Sequence, residues 1–182
     1  MTLLVLEKTD AAHRHQLFTI LGVDIVITSR AWIVIPLFAI AGIVISFIFA
    51  PTDSFIAEIL VGIVYGLLIF VTNVCHGLGH IISSRMVNAP MKMLVLTATV
   101  PLTLYDDTGD LPSRVHVGRS LGGPALNLIV GVLALVVNGA GLNSHFILFF
   151  GIANLVFAVL SSMPVPSFDG SVFLRELRDW KQ

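Results

Sequence analysis

Long apolar runs separated by short polar breaks set the pattern of this chain. Residues 31–50 carry no charge, and about 20 such residues suffice to cross ~30 Å of hydrocarbon. Trp32 stands at the edge of the run, where interface aromatics belong. Pro36 falls in its first turns, where a missing N–H costs least, and Pro51-Thr52-Asp53 ends it. A second run, residues 55–84, would be about 45 Å long as a helix, so it tilts or projects from the bilayer. Two further runs, 121–138 and 145–162, are joined by the tight turn Gly139-Ala140-Gly141-Leu142-Asn143. The pattern predicts an α-helical integral membrane protein with four transmembrane helices, the 182 residues forming one membrane domain.

The remaining segments read differently. Residues 1–30 mix charge with short apolar stretches, and 17–28 fit a strand or hairpin on the membrane surface or, equally, an amphipathic lead-in. Residues 86–119 form a loop that holds one apolar stretch, 91–105. That stretch is too short and too rich in Thr and Val to span, and Pro101 interrupts it. It fits a hairpin or re-entrant segment, so short membrane-associated β segments are expected. After the fourth run, Pro164 and Pro166 forbid a regular helix. Residues 163–182 then carry Asp169, Gly170 and a short amphipathic tail with Arg175, Arg178 and Lys181.

Composition supports the membrane reading. Only 12% of residues are charged, about half the share in soluble domains, and mean hydropathy is +0.96. A net charge of −1 points to no nucleic-acid partner. The single cysteine, Cys75, excludes an internal disulfide and fits packing. Met1 to Leu6 is too short an apolar run for a secretory signal, so the first long helix is expected to serve for insertion. All ten Lys and Arg lie in residues 1–30, 85–119 or the tail. The positive-inside rule then places both termini and the long loop in the cytoplasm of a multi-pass protein.

Two histidines supply the candidate chemistry. His76 and His80 sit four residues apart in the second run, one above the other on one helix face, and so could grip one metal ion. The bland alternative is a pair of hydrogen-bonded helix histidines. Measured from Arg85 as the water boundary, they lie roughly 13 and 7 Å deep. Thr72 or Asn73 and Ser83 or Ser84 fall on the same side, a polar stripe that should face the bundle or a wet cavity. With Asp169 the pair would make a His₂-carboxylate zinc site with an open position for water. Taken alone, Asp169 reads as a turn residue, Asn127 as an interhelical hydrogen bonder. Asp106, Asp107 and Asp110 read as solvated loop charges, and His13, His15, His116 and His145 as surface residues without partners.

Taken together, the motifs resemble the site-2 protease family, the intramembrane zinc metalloproteases. Leu17-Phe18 through Gly22-Val23 to Arg30-Ala31-Trp32 is similar to the family's strand segment before its first helix. His76-Gly77-Leu78-Gly79-His80 is a degenerate form of its H-E-x-x-H. Gly123-Pro124-Ala125-Leu126-Asn127 matches its G-P-x-x-N helix start. Ser161 through Pro164 to Asp169-Gly170 matches its N-x-x-P-x-x-x-x-D-G. The match covers nearly the whole chain, as of a minimal membrane core.

The resemblance implies Zn²⁺ held by His76, His80 and Asp169, with Asn73, Gly123, Pro124, Asn127, Pro164 and Gly170 in support. It also implies transmembrane clients held as an added strand along a sheet edge from residues 91–105 and met near the cytoplasmic face of a prokaryotic cell membrane. Two departures concern catalysis. Gly77 replaces the general-base glutamate, whose help is worth typically 10²–10⁴-fold. Ser161 replaces the asparagine at the oxyanion side, worth about 10²–10³-fold. Glu58 lies about 27 Å from His76 along the helix and cannot substitute for the base. No residue is therefore assigned as catalytic. The expected function is a catalytically impaired relative that binds membrane clients. The alternatives are an active zinc endopeptidase cleaving membrane-tethered regulators, and a metal-handling membrane protein that is no protease.

Overall fold

The computed structural model describes residues 14–49, 51–97, 101–106, 111–166 and 168–180. Asp107, Asp110 and His13 lie outside them. The chain opens with strands β1 (Arg14–Ile20) and β2 (Val23–Thr28). Their antiparallel turn is made by Leu21 and Gly22, both at positive φ (48° and 70°), the backbone that two-residue hairpins favour. A single 3₁₀ turn, Ala31–Ile33, leads into helix α1 (Val34–Phe49), and α2 (Phe55–Met86) follows. Then come β3 (Met93–Leu96), β4 (Leu102–Leu104), α3 (Ser113–Val137), α4 (His145–Ser161) and α5 (Asp169–Asp179).

The four strands form one sheet in chain order, with β2 parallel to β3 and antiparallel pairs on either side. Within 91–105, β3 and β4 thus pair antiparallel, with β4 at the sheet edge among the described residues. Val23, Ile25, Met91 and Leu94 pack with Ile81 of α2 in the main buried cluster. The sheet therefore sits against the end of α2 that carries the histidines. The Arg85 guanidinium adds a hydrogen bond to the Leu21 carbonyl.

Ala31–Phe49, Phe55–Met86 and the helix starting at Ser113 are long and apolar enough to cross a membrane, and His145–Ser161 is a shorter apolar helix. The outward faces of these helices carry exposed Ile, Leu, Val and Phe, as in a protein whose solvent is lipid. Small residues let the helices touch. A Cβ on Gly42 would overlap the backbone of Gly62 and Gly66 of α2, so this crossing depends on a bare backbone on both sides.

The sequence pattern misplaced one boundary. The third helix begins at Ser113, not at residue 121, and Gly122-Gly123-Pro124 lies inside it. Pro112, extended at ψ 146°, is the residue that stops the loop. Residues 113–120 hold Arg114, His116, Arg119 and two serines, so an apolar-run reading assigns them to the loop. Nothing in them breaks a helix, and Val115, Arg119 and Ser120 are buried. Between α3 and α4 the chain takes one wide turn, Asn138–Leu142, and reverses through Gly141 (φ 124°) and Asn143 (φ 43°).

Candidate metal centre

Helix periodicity brings the first two donors together, and the chain break before α5 brings the third. His76 Nε2 and His80 Nε2 are 3.1 Å apart on neighbouring turns of α2. Asp169, the first residue of α5, places Oδ2 3.1 Å from His76 Nε2 and 3.4 Å from His80 Nε2. Pro164 and Pro166 keep α4 from continuing past Ser161, and the new helix starts with its acid turned back onto α2. Three donors at about 2.0–2.1 Å from a tetrahedral zinc stand about 3.3 Å from one another. The observed triangle has that size, and the three residues form a group that could hold a metal ion.

The hydrogen bonds behind the rings fix their chemistry. His80 Nδ1 stands 2.9 Å from the Arg119 carbonyl oxygen, which can only accept, so this nitrogen carries the proton. His76 Nδ1 stands 2.9 Å from Asn127 Oδ1. Asn127 Nδ2 donates to the Thr72 carbonyl at 3.1 Å and to Asn154 Oδ1 at 2.8 Å. With both amide hydrogens used, its oxygen must face His76. Each neutral imidazole thus spends its one proton on the far side and turns a bare Nε2 lone pair inward. Two lone pairs and a carboxylate oxygen then face one another at 3.1–3.4 Å. That arrangement is repulsive unless a proton or a cation lies among them, so the donor set fits a metal ion.

Backbone packing leaves room for the rings. A Cβ on Gly123 would lie 2.5 Å from both His76 Cε1 and His80 Nε2. Gly79 meets the backbone of Gly122 and Gly123 at the same crossing. Phe157 of α4 covers His76 edge-on at 5.1 Å between centroids. The Asp169 side chain remains about a fifth exposed at 22%, so the group is reachable from outside. Where no metal neutralises the group, protonated imidazoles take that place: burial pushes the Asp169 carboxyl up, but hydrogen bonds and charge from His76 and His80 in that form more than offset this and hold it below the usual carboxylate value.

The support differs in part from the sequence expectation. Asn127 joins the half-buried His76 to Asn154 and Thr72, and Asn127, Asn154 and Thr72 are fully buried. Asn154, which donates to Thr72 Oγ1 and the Phe150 carbonyl, was not singled out, because an isolated Asn in an apolar run gives no signal of what it faces. Asn73 is not part of the set: its amide donates to Ile69 of its own helix. A one-residue step on a helix turns a side chain by about 100°, which puts Thr72 rather than Asn73 on the histidine face. Ser83 reaches the Arg119 carbonyl at 3.4 Å, whereas Ser84 caps the Ala89–Met91 turn instead.

Pro124 is buried within α3, Gly170 abuts the Ser162 carbonyl, and Pro164 is exposed. His145 is not without a partner: its Nδ1 is 2.9 Å from the Tyr65 hydroxyl. Asp106 pairs with Lys92 at 2.6 Å on the surface.

The two substituted positions lie at the site's margins. Gly77 is buried and faces Leu94 of β3, whose Cδ2 would be 3.0 Å from a Cβ placed there. Ser161 ends α4 and donates to the Ala158 carbonyl. Glu58 is far away at the other end of α2, accepting from the Thr52 N–H at 2.6 Å. Arg119 connects sheet and site. Its guanidinium lies 3.8 Å over the Tyr105 ring, just past β4, and its Nε donates to Ala89.

No family model and no curated protein matches the sequence. A solved structure does match: the site-2 protease from Methanocaldococcus jannaschii, at 21% identity over 93% of this chain and 73% of that chain, with a TM-score of 0.65. The chain thus has a site-2-protease-like fold.

Proposed function

We propose that this chain is a site-2-protease-like intramembrane metalloprotease homologue that holds zinc between His76, His80 and Asp169, is impaired in catalysis, and binds transmembrane clients. The observation that carries this reading is the donor triangle of 3.1–3.4 Å with both Nε2 lone pairs turned inward, set in a fold shared with a site-2 protease. When bound, zinc supplies a Lewis acid for a peptide carbonyl and an acidified water. The protein's own groups orient the donors: Asn127 and the Arg119 carbonyl hold the imidazole protons, and Asp169 supplies the negative charge. No carboxylate stands at Gly77 to take a proton, which is the reason for reading catalysis as weak.

The client reading follows from the edge strand. Beyond β4 the sheet has no further strand among the described residues, and an extended segment could add there by main-chain hydrogen bonds. β3 lies between β4 and β2, with Leu94 against Gly77. A client at that edge would thus be one strand removed from the residue beside the metal donors. In this reading α4 is a fourth span, and both termini and the metal site face the cytoplasm of a prokaryotic cell.

Two measurements test the proposal. Purified protein should contain one zinc per chain; protein free of stoichiometric zinc would point to a non-protease instead. Native protein and Gly77→Glu are then compared on a panel of single-span substrates with and without a chelator. The variant should cleave about 10²–10⁴-fold faster. Equal, chelator-sensitive rates would show that the native chain is an active protease and end the impaired reading.

A further inference from the structure

Helix α5 (Asp169–Asp179) is amphipathic in the wrong sense for water. Among its described side chains Glu176 is buried, while Leu174, Leu177 and Trp180 are 47%, 43% and 54% exposed. At 100° per residue, Leu174, Leu177, Trp180 and the half-buried Phe173 share an arc of about 120°. A surface helix of a soluble protein turns such an arc inward. Eleven residues reach about 16 Å, too short to cross a bilayer. An apolar arc that is neither packed nor able to span fits a helix lying in the membrane interface.

Three observations name lipid as the occupant. First, exposed apolar positions lead into the helix from the end of the membrane helix α4, through Val159, Leu160, Met163 and Val165. Second, Arg175 and Arg178 follow the arc on its polar side; the Arg175 side chain is 64% exposed while it pairs with Glu176 at 3.1 Å. Arginines placed there reach anionic headgroups while the stem stays on apolar surface. Third, Trp180 ends the arc, and its ring suits the headgroup level.

We infer that α5 is an interfacial helix seated on the leaflet next to the metal centre, with Leu174, Leu177 and Trp180 in the acyl boundary. Because Asp169 opens the same helix, the leaflet also helps to anchor the third donor. That consequence rests on the metal reading above; the lipid contact does not.

The test reads the contact alone. The chain has two tryptophans, so Trp32→Phe leaves Trp180 as sole reporter, and Trp32 is itself exposed. The variant is reconstituted in phosphatidylcholine–phosphatidylglycerol vesicles. Lipids brominated near the headgroup should quench Trp180 about twofold or more, for a side chain roughly 5–10 Å deep, while aqueous iodide quenches it weakly. Free access to iodide with no effect of brominated lipid would overturn the inference. So would protection from both quenchers, which would mean that protein covers the arc. Should Trp32→Phe not fold, Leu177→Cys in a Cys75→Ser background carries a nitroxide. Greater collision with oxygen than with an aqueous nickel chelate supports the contact, and the reverse order sinks it.

Discussion

Asn127 Oδ1 stands 2.9 Å from His76 Nδ1, and the Asn127 amide donates to Thr72 and Asn154. One side chain on α3 therefore sets the tautomer of a donor on α2 and ties it to α4. Removing the acceptor while keeping the volume, as in Asn127→Leu, is expected to lower zinc affinity about 10–100-fold. It also leaves Asn154 short of a partner, which costs about 1–3 kcal/mol. Asn127→Asp keeps an oxygen at His76 and should retain more of the affinity. Chelator competition on the purified variants measures both, and equal affinities for Asn127→Leu and the native chain would refute the role.

The donor set makes a sharper division. His80→Ala and Asp169→Asn should each abolish stoichiometric zinc, since either change opens the triangle. His145→Ala removes the Tyr65 partner at the far end of the bundle and should leave zinc content unchanged. Elemental analysis after dialysis tells them apart, and zinc retained by His80→Ala would remove that residue from the site.

Gly123 is predicted to be as sensitive as a ligand. A Cβ there would lie 2.5 Å from both imidazole rings, and the rings are held from behind by Asn127 and the Arg119 carbonyl. Gly123→Ala gains helix propensity of about 1 kcal/mol, yet should lose metal and thermal stability together. A variant that melts higher and keeps its zinc would show that the rings have room to move.

Acid should act in two separate windows. Imidazole donors must be unprotonated to bind, and an imidazole takes up its proton at higher pH than a carboxylate does, so metal occupancy falls early on acidification. In the metal-free protein, Asp169 is held below its ordinary value by His76 and His80 despite burial. Such a group stabilises the fold above its unfolded pKa and loses that contribution as pH falls through the folded one. The Asp169-linked loss therefore belongs to stronger acid than the metal loss. Zinc content and melting temperature followed together from neutral to acidic pH check the order, and zinc that stays bound through the acid limb would contradict it.

Much of this was legible in the chain itself. Apolar runs of spanning length can be satisfied in lipid only as helices, so the helices Val34–Phe49 and Phe55–Met86 read directly, and the i, i+4 spacing of His76 and His80 fixes a shared face. The start of α3 did not read, because Ser113–Ser120 is polar enough for a loop and helical only through its burial against neighbours. Asn73 and Thr72 were indistinguishable in sequence, since one residue of helix phase decides which of them meets α3 and α4.

What the sequence determined by itself is therefore local and periodic: which segments are apolar enough to cross and which side chains share a helix face. What only the tertiary structure decided is convergence. Asp169 lies 89 residues after His80, and no local rule sets the angle at which α5 returns it to within 3.4 Å. Close glycine-mediated helix crossings and the Asn127–Asn154–Thr72 network hold α2, α3 and α4 together, and Gly170 lets α5 start hard against the Ser162 carbonyl. They do so because backbone contact and buried hydrogen bonds have short range and strict direction, so they act only once the helices are already side by side.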